Sequence, residues 1–207
     1  MRCFLLSVAI CVTCVVIAMP ARATITNLAP FTGTLHENFD EFPTDTAVRF
    51  LDLFNNQARI TVEGNENSIK LEFSSQLGGD LVTPISRLMC GQLGIADWTF
   101  TTPVARFGGY WENNSHADDA TAEFFDAQGS LFDTRTVPVS TNAQHWQWNG
   151  WDFGDTPVSK IRVTGNGLIN GFIWYDNMEI VQAPEPVSVL VVAPLLLLAF
   201  GRRRLVV

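Results

Sequence analysis

The sequence predicts an all-β protein: a single antiparallel β-sandwich or jelly roll, with a short segment at each end that lies outside it. About ten short stretches of alternating, β-branched or aromatic residues are separated by turn residues at regular spacing. No stretch of useful length has the periodicity of an amphipathic helix. The 207 residues are 47% hydrophobic and only 16% charged, which excludes a disordered acidic chain.

Residues 1–23 have the features of a secretory signal peptide. A short basic start precedes an apolar run over positions 3–19 that carries no charge. Ala21 and Ala23 then supply the small side chains that signal peptidase requires three positions and one position before its cut. We therefore expect a mature chain that begins near Thr24; a retained membrane anchor is the alternative.

Residues 184–207 form a second terminal signal in three parts. The parts, in order, are Pro184-Glu185-Pro186, the uncharged run Val187–Phe200, and the basic cluster Arg202, Arg203 and Arg204. The run has 14 residues and predicts a short hydrophobic helix. A helix needs roughly 20 residues to span a membrane, so this one is marginal as a membrane span. Arginines directly after such a helix stay in the cytoplasm, which would place the body of the chain on the outer side of the membrane. An ordinary tail anchor is the alternative.

The three parts, in this order at the extreme end of the chain, resemble the PEP-CTERM sorting signal of Gram-negative bacteria. The resemblance implies that the chain is exported, held transiently in the inner membrane, and then cut by an exosortase, a transpeptidase-like membrane enzyme. Signal peptidase and exosortase are the processing partners that follow from the two ends. The resemblance covers about two dozen residues and implies no activity for the body.

The body, residues 24–183, is acidic. It holds eight basic and 20 acidic residues, so it repels phosphate backbones and we expect no binding to nucleic acid. Cys90 is the only cysteine left after removal of the signal peptide, which excludes a disulfide within the mature chain. A buried apolar side chain is the simplest interpretation of Cys90, and a bond between two chains is the alternative.

Strand patterns run through almost the whole body. The stretch Gln76–Asp97 is the weakest and predicts a long loop or a short helix. Turn residues separate the others, among them Ala127-Gln128-Gly129 and Asn149-Gly150. The predicted strands are Thr34–Asp40, Ala47–Phe54, Ala58–Glu63, Ser68–Ser74, Val104–Trp111, Thr121–Asp126, Ser130–Val139, His145–Phe153, Ser159–Thr164 and Leu168–Val181.

About half of the body also resembles the lectin-like sandwich bodies that often precede this sorting tail. The matching segments are Phe107–Trp111, Ala122–Leu131, Lys160–Val163 and Gly171–Ile180. In such bodies a strand, an Asp-x-x-Gly hairpin and a closing strand with an Asp-Asn pair recur. The resemblance implies a sandwich fold and possible glycan binding, but it supplies no fixed sugar-site motif.

The richest local pattern is the aromatic stretch His145–Phe153. Asn149-Gly150 is the preferred centre of a two-residue type I′ hairpin. Such a turn would place the rings of Trp146, Trp148, Trp151 and Phe153 on one face. Those rings form either a platform on which sugar rings stack or a ladder that closes the core.

Two acidic residues are candidates for a structural calcium ion. Jelly-roll modules often hold calcium between their first and last strands, and Asp40 and Asp176 lie near those two ends of the body. Calcium takes six to eight oxygen ligands, often from loop carboxylates. The alternative is that both are solvated acids of an acidic protein.

Catalytic signatures are missing from the sequence. It contains no Gly-x-Ser-x-Gly elbow, no His-Glu-x-x-His zinc helix and no phosphate-binding glycine loop. We therefore expect an exported, non-enzymatic protein of the cell surface or the extracellular matrix, which binds extracellular polysaccharide if it has a ligand. The alternatives are a secreted glycan-active hydrolase with a carboxylate pair and a purely structural matrix component.

Overall fold

The computed structural model describes residues 24–42, 47–63, 69–73, 86–90, 95–113, 120–139, 146–165 and 173–184. The signal peptide and all but the first residue of the sorting tail lie outside these ranges, and for Cys90 only the backbone is described. In the described part of the chain, no helix has the length and apolar character needed to cross a membrane.

Every regular element in the described ranges is a β-strand, which confirms the all-β prediction. All pairings between strands are antiparallel. The strands are β1 (Thr26–Asn27), β2 (Leu35–Glu37), β3 (Ala47–Val48), β4 (Phe50–Leu53), β5 (Ala58–Val62), β6 (Ile69–Phe73), β7 (Ser86–Cys90), β8 (Ala96–Asn113), β9 (Ala120–Asp126), β10 (Leu131–Val137), β11 (Gln147–Asp152), β12 (Val158–Thr164) and β13 (Ile173–Gln182).

The 18-residue strand β8 joins the two halves of one curled sheet. Its first part pairs with β5 and β12, and its second part pairs with β11 and β13. The first half, here called the β9 half, has the strand order β10-β9-β12-β8-β5-β4. The second, the β11 half, has the order β1-β11-β8-β13, with β2 and β7 on the other edge of β13 and then β6 and β3.

The core lies between the two halves and is rich in aromatic rings. Phe124 of β9 meets Trp151 of β11 with ring centroids 5.3 Å apart, and Trp98 meets Tyr175 of β13 at 5.2 Å. Phe107 stacks parallel to Trp151 at 6.3 Å. Burying each such side chain stabilises the fold by about 1.5–3 kcal/mol, so these rings hold the halves face to face as a sandwich.

Most of the predicted strands are present, with shifted ends. The interpretation of Gln76–Asp97 as loop or helix was wrong for its second part, because Ser86–Cys90 is a strand and β8 already begins at Ala96. Pro103 interrupts the pattern where β8 changes partners, so the sequence showed only the part of β8 that follows it.

Of the predicted turns, the one at Ala127-Gln128-Gly129 is confirmed and the one at Asn149-Gly150 is wrong. In the turn between β9 and β10, the Gly129 N–H donates to the Asp126 carbonyl oxygen at 3.0 Å, and Gly129 has a φ of 78°. Asn149-Gly150 is instead the middle of β11, paired with Gly109 and Gly108 of β8. The Asn149 side chain is buried and donates to the Pro138 carbonyl oxygen at 3.0 Å, so this pair serves packing rather than a turn.

Candidate functional site

Because β11 runs straight through Asn149-Gly150, its tryptophans point to opposite faces of the sheet. Successive side chains of a strand point to alternate faces, so Trp148 and Trp151, which are three positions apart, lie on opposite faces. Trp151 is 3% exposed and belongs to the core, whereas Trp148 is partly exposed on the outer face. Trp146 precedes the strand and is 8% exposed. The prediction of four rings on one face was therefore wrong, and of the three candidate tryptophans Trp148 presents the most surface to a ligand.

Trp148 is the centre of an outer aromatic cluster, defined here as Phe31, Tyr110 and Trp148. Tyr110 is the cross-strand neighbour of Trp148, and their ring centroids lie 5.3 Å apart at an interplanar angle of 74°. Phe31 meets Trp148 edge-on at 5.6 Å and 89°. All three rings are partly exposed, so the cluster forms an apolar patch on the outer face of the β11 half.

Two glycines make room for the indole. Gly108 and Gly150 are directly opposite each other on β8 and β11. A Cβ atom on Gly108 would meet Cζ2 of Trp148 at 2.8 Å, and one on Gly150 would meet its Nε1 at 2.7 Å. The indole therefore lies against bare backbone, and this close approach explains why glycine occupies both positions of the pair.

The N-terminal segment holds the other side of the indole. The Trp148 Nε1–H donates to the Leu28 carbonyl oxygen at 2.9 Å, and the Leu28 N–H donates to the Gly150 carbonyl oxygen at 2.8 Å. Farther along, the Gly33 N–H donates to Oε2 of Glu179 at 2.8 Å, which ties the segment to β13. Trp148 is thus fixed in one orientation before any ligand arrives.

A small cavity of about 210 Å³ opens beside Trp148, between the edge of β11 and the end of β10. We call it the Trp148 cavity. The residues that line it include three amides, one hydroxyl and two indoles, and none of them has an ionisable side chain. The lining residues are Asn27, Leu28, Thr136, Pro138, Gln147, Trp148, Asn149, Gly150 and Trp151.

Two carboxylates share the outer face with the aromatic cluster. The register pairs Asp176 with Tyr110, and Glu112 lies two residues further along β8, so both carboxylates lie on the same face as Tyr110. Glu112 is 0% exposed and Asp176 is 2% exposed, so neither presents its carboxylate to solvent. Oδ1 of Asp176 accepts a hydrogen bond from the Asn177 N–H at 2.7 Å.

The proposed calcium ligands differ in their surroundings. Asp40 is exposed, and its carboxylate accepts a hydrogen bond from Asn38 at 2.8 Å, whereas Asp176 is buried on β13. No group of three or more His, Cys, Asp or Glu side chains that could hold a metal ion occurs within the described residues. Calcium binding by Asp40 and Asp176 stays a prediction.

The processing sites lie almost entirely outside the described residues. This holds for Ala21 and Ala23 of the signal peptide, and for Glu185, Pro186, Arg202, Arg203 and Arg204 of the tail. Pro184 is described and is exposed just after β13 ends.

Sequence reasoning missed Phe31, Leu28 and Tyr110 as neighbours of Trp148. Phe31 and Leu28 are about 120 residues away in the chain, and no local pattern links them to β11. Tyr110 carried a usable signal, because the small pair Gly108-Gly109 precedes it and marks a place where another group approaches the backbone closely.

No family model matches the sequence, and no curated protein matches it. Among solved structures, the K2 cleaved adhesin domain of Lys-gingipain is 11% identical with a TM-score of 0.46, over 72% of this chain and 97% of that domain. The arabinose-bound α-L-arabinofuranosidase MgGH51 gives the same identity and TM-score over 70% of this chain, but this chain spans only 26% of that enzyme.

A family 29 carbohydrate-binding module in complex with mannohexaose is 13% identical with a TM-score of 0.39, over 76% of this chain and 91% of that module. None of these three chains shares more than 13% of its aligned residues with this one.

Proposed function

We propose that this chain is an exported, non-enzymatic protein that binds a neutral polysaccharide at the cell surface or in the extracellular matrix, through the Trp148 cavity and the outer aromatic cluster. The observation that carries the proposal is Trp148 itself: a partly exposed indole, fixed on a glycine floor and bordered by a cavity of neutral hydrogen-bonding groups.

The chemistry of that surface favours a sugar. An aromatic ring packs well against the apolar C–H face of a pyranose, and amide and hydroxyl groups both donate to and accept from its hydroxyl groups. Asn27, Thr136 and Gln147 supply such groups on the cavity wall. A neutral ligand fits better than an anion, since the lining has no cationic side chain and the body as a whole is acidic.

Export and sorting are the second part of the proposal. A signal peptide cut after Ala23 and a PEP-CTERM-like tail read by an exosortase would carry the body across the inner membrane and release it outside. Extracellular polysaccharide is then the abundant neutral ligand that the body meets.

Removal of the indole tests the binding site. We expect Trp148→Ala to weaken binding to a neutral polysaccharide by about 10- to 100-fold, as truncation of a central aromatic contact usually does. Trp148→Phe retains a ring and should keep most of the affinity. The measurement is a glycan-array screen of the full chain, followed by affinity measurements on the sugars it identifies.

Phe125→Ala is the matched control, because Phe125 is a partly exposed ring on the opposite half and contacts Lys160 instead. It should leave the affinity unchanged, and a thermal melt of each variant separates lost binding from lost fold. Equal affinity in Trp148→Ala and wild type would refute the site. Release of reducing sugar ends from a bound polysaccharide by the wild-type chain would refute the non-enzymatic assignment.

A further inference from the structure

A second and larger cavity, of about 550 Å³, lies on the β9 half. We call it the Arg59 cavity. Its volume falls within the range of about 300–1,000 Å³ that is common for ligand sites. The outer-face residues that line it come from β4, β5, their connecting turn and β8. The lining residues are Asp52, Asn56, Ala58, Arg59, Thr99, Phe100 and Thr101.

The Arg59 guanidinium is held in place by two neighbours. Its Nε and Nη2 donate to the two carboxylate oxygens of Asp52 at 2.6 and 2.9 Å, and its Cζ lies 4.6 Å from the ring centroid of Phe50. Asp52 is directly opposite Arg59 in the β4–β5 hairpin, and Phe50 lies two positions before Asp52 on the same strand. Because Asp52 balances the charge of Arg59, the cavity presents oriented hydrogen-bonding groups without a net charge.

Phe50 adds an aromatic surface next to these polar groups. It is 52% exposed, and Leu131 is the only other large hydrophobic side chain that is exposed in the described part of the chain. An exposed ring beside oriented polar side chains repeats the composition found at the Trp148 cavity.

Hydrogen bonds between β8 and the β4–β5 turn hold the wall of the Arg59 cavity. Thr101 is bonded twice to the β4–β5 turn: its N–H donates to the Gln57 carbonyl oxygen at 2.9 Å, and its hydroxyl donates to the Asn56 carbonyl oxygen at 3.2 Å. The turn is left-handed at Phe54, Asn55 and Asn56, with φ between 52° and 65°. The buried Phe54 side chain anchors this conformation, so the cavity exists before a ligand binds.

The two cavities open at opposite edges of the β9 half. Thr136, near the end of β10, lines the Trp148 cavity, and Asp52 of β4 lines the Arg59 cavity. Strands β9, β12, β8 and β5 lie between β10 and β4. Along the sheet, at about 4.8 Å per strand, the two edges are separated by roughly 24 Å, so one sugar ring does not occupy both cavities.

We propose that the Arg59 cavity is a second binding site for a neutral, hydroxyl-rich glycan, and that the chain uses its two sites to cross-link two polysaccharide strands. The cross-linking rests on the proposed function, because it requires the Trp148 cavity as its first site. The second site, the Arg59 cavity, is inferred from its own residues alone. One carboxylate, one guanidinium, one amide and two hydroxyl groups line this cavity, and together they can donate to and accept from several sugar hydroxyls at once.

Precipitation of soluble polysaccharide distinguishes two sites from one. Mixed-linkage β-glucan, xyloglucan, galactomannan and the exopolysaccharide of the native cell are the probes, with binding followed by affinity electrophoresis and cross-linking by turbidity. Wild type should bind and precipitate at least one probe. Arg59→Ala, Phe50→Ala and Trp148→Ala should each still bind it without precipitation, with apparent affinity on the order of 10²-fold weaker through lost avidity.

Arg49→Ala is the matched control, since it removes an exposed arginine of the same region that does not line the cavity, and it should precipitate the probe as wild type does. The variant with both Trp148→Ala and Arg59→Ala should not bind. Undiminished precipitation by both Arg59→Ala and Phe50→Ala overturns the second site and leaves the proposed function intact. Unchanged binding in Trp148→Ala, with complete loss in Arg59→Ala, overturns the Trp148 site and the cross-linking. No binding to any probe overturns both proposals.

Discussion

At the scale of the residue, the position of each tryptophan along β11 decides the face of the sheet on which its ring lies. Trp148 and Trp151 are the same residue type on the same strand, yet Trp151 stacks on Phe107 in the core while Trp148 lies outside on bare backbone. The Gly108–Gly150 pair is the physical reason that an outward indole fits here. Strand alternation places Trp148 on the outer face, and the small volume at the neighbouring glycines lets its indole lie against the backbone.

The Asp52–Arg59 pair makes a pH prediction at the same scale. The hydrogen bonds from Arg59 hold the pKa of the Asp52 carboxyl below its ordinary value of 3.8. A lowered folded-state pKa means that the interaction is present above that value and is lost as the pH falls through the lowered pKa.

We therefore expect binding at the Arg59 cavity to be constant from about pH 8 to pH 5 and to weaken only below about pH 4. The measurement is affinity against pH for the Trp148→Ala variant, in which the Arg59 cavity is the remaining site. Asp52→Asn removes the titrating group, and it should bind weakly at every pH. A decline of the Trp148→Ala variant centred between pH 5 and 7 would show that another group controls the site.

At the scale of the element, β8 and β13 organise the molecule. β8 belongs to both halves because its length lets it change partners near Pro103, and β13 pairs with β8 on one edge and with β2 and β7 on the other. The register of β13 shifts between Asp176 and Glu179, where Asn177 has a φ of 46°. This bulge lies directly before Glu179, whose carboxylate then meets the N-terminal segment.

Glu179 gives a prediction for that segment. Its Oε2 accepts from the Gly33 N–H, and its Oε1 lies 2.8 Å from Nδ1 of His36. Glu179→Ala leaves the part-buried Gly33 N–H without this acceptor, so we expect a loss of about 1–2 kcal/mol in the free energy of unfolding. Because Leu28 and Phe31 of the same segment hold Trp148, glycan affinity should fall as well.

Urea denaturation measures the first effect, and limited proteolysis of residues 28–37 shows whether the segment has been released. Asp155→Ala is the control, since Asp155 is an exposed acid in the turn after β11. A similar stability loss in Asp155→Ala, or unchanged protection of the segment in Glu179→Ala, would contradict this account.

At the scale of the whole molecule, the sandwich places the core between its halves and the two cavities at separate edges. The aromatic core joins the halves, the Trp148 cavity lies at the β10–β11 edge, and the Arg59 cavity lies at the β4–β5 edge. A rigid body with two sites at its edges suits a protein that joins polymer strands outside the cell. We propose that the tail after Pro184 directs the body to that location.

Neutralising the tail tests this delivery. Replacement of Arg202, Arg203 and Arg204 by glutamine should leave an uncut precursor in the cell, because the cluster that holds the cytoplasmic end of the signal is lost. Intact mass of the protein from membranes and medium is the measurement: wild type should run from near Thr24 to near Pro184. Arg49→Gln in the body is the control and should mature normally. Normal maturation of the triple variant would show that the tail is not a sorting signal.

The sequence by itself determined the all-β class, most strand positions and the Gly129 turn, because these follow from local alternation and from the conformational freedom of single residues. It also marked His145–Phe153 as unusual. Only the tertiary structure decided that Asn149-Gly150 is a strand centre, that Trp148 and Trp151 diverge, and that Phe31 and Leu28 complete the site. Those outcomes depend on contacts between residues up to about 120 positions apart. In the strand, the Asn149 side chain gains a buried hydrogen bond and Gly150 makes room for the Trp148 indole, and these contacts favour the extended conformation over a turn.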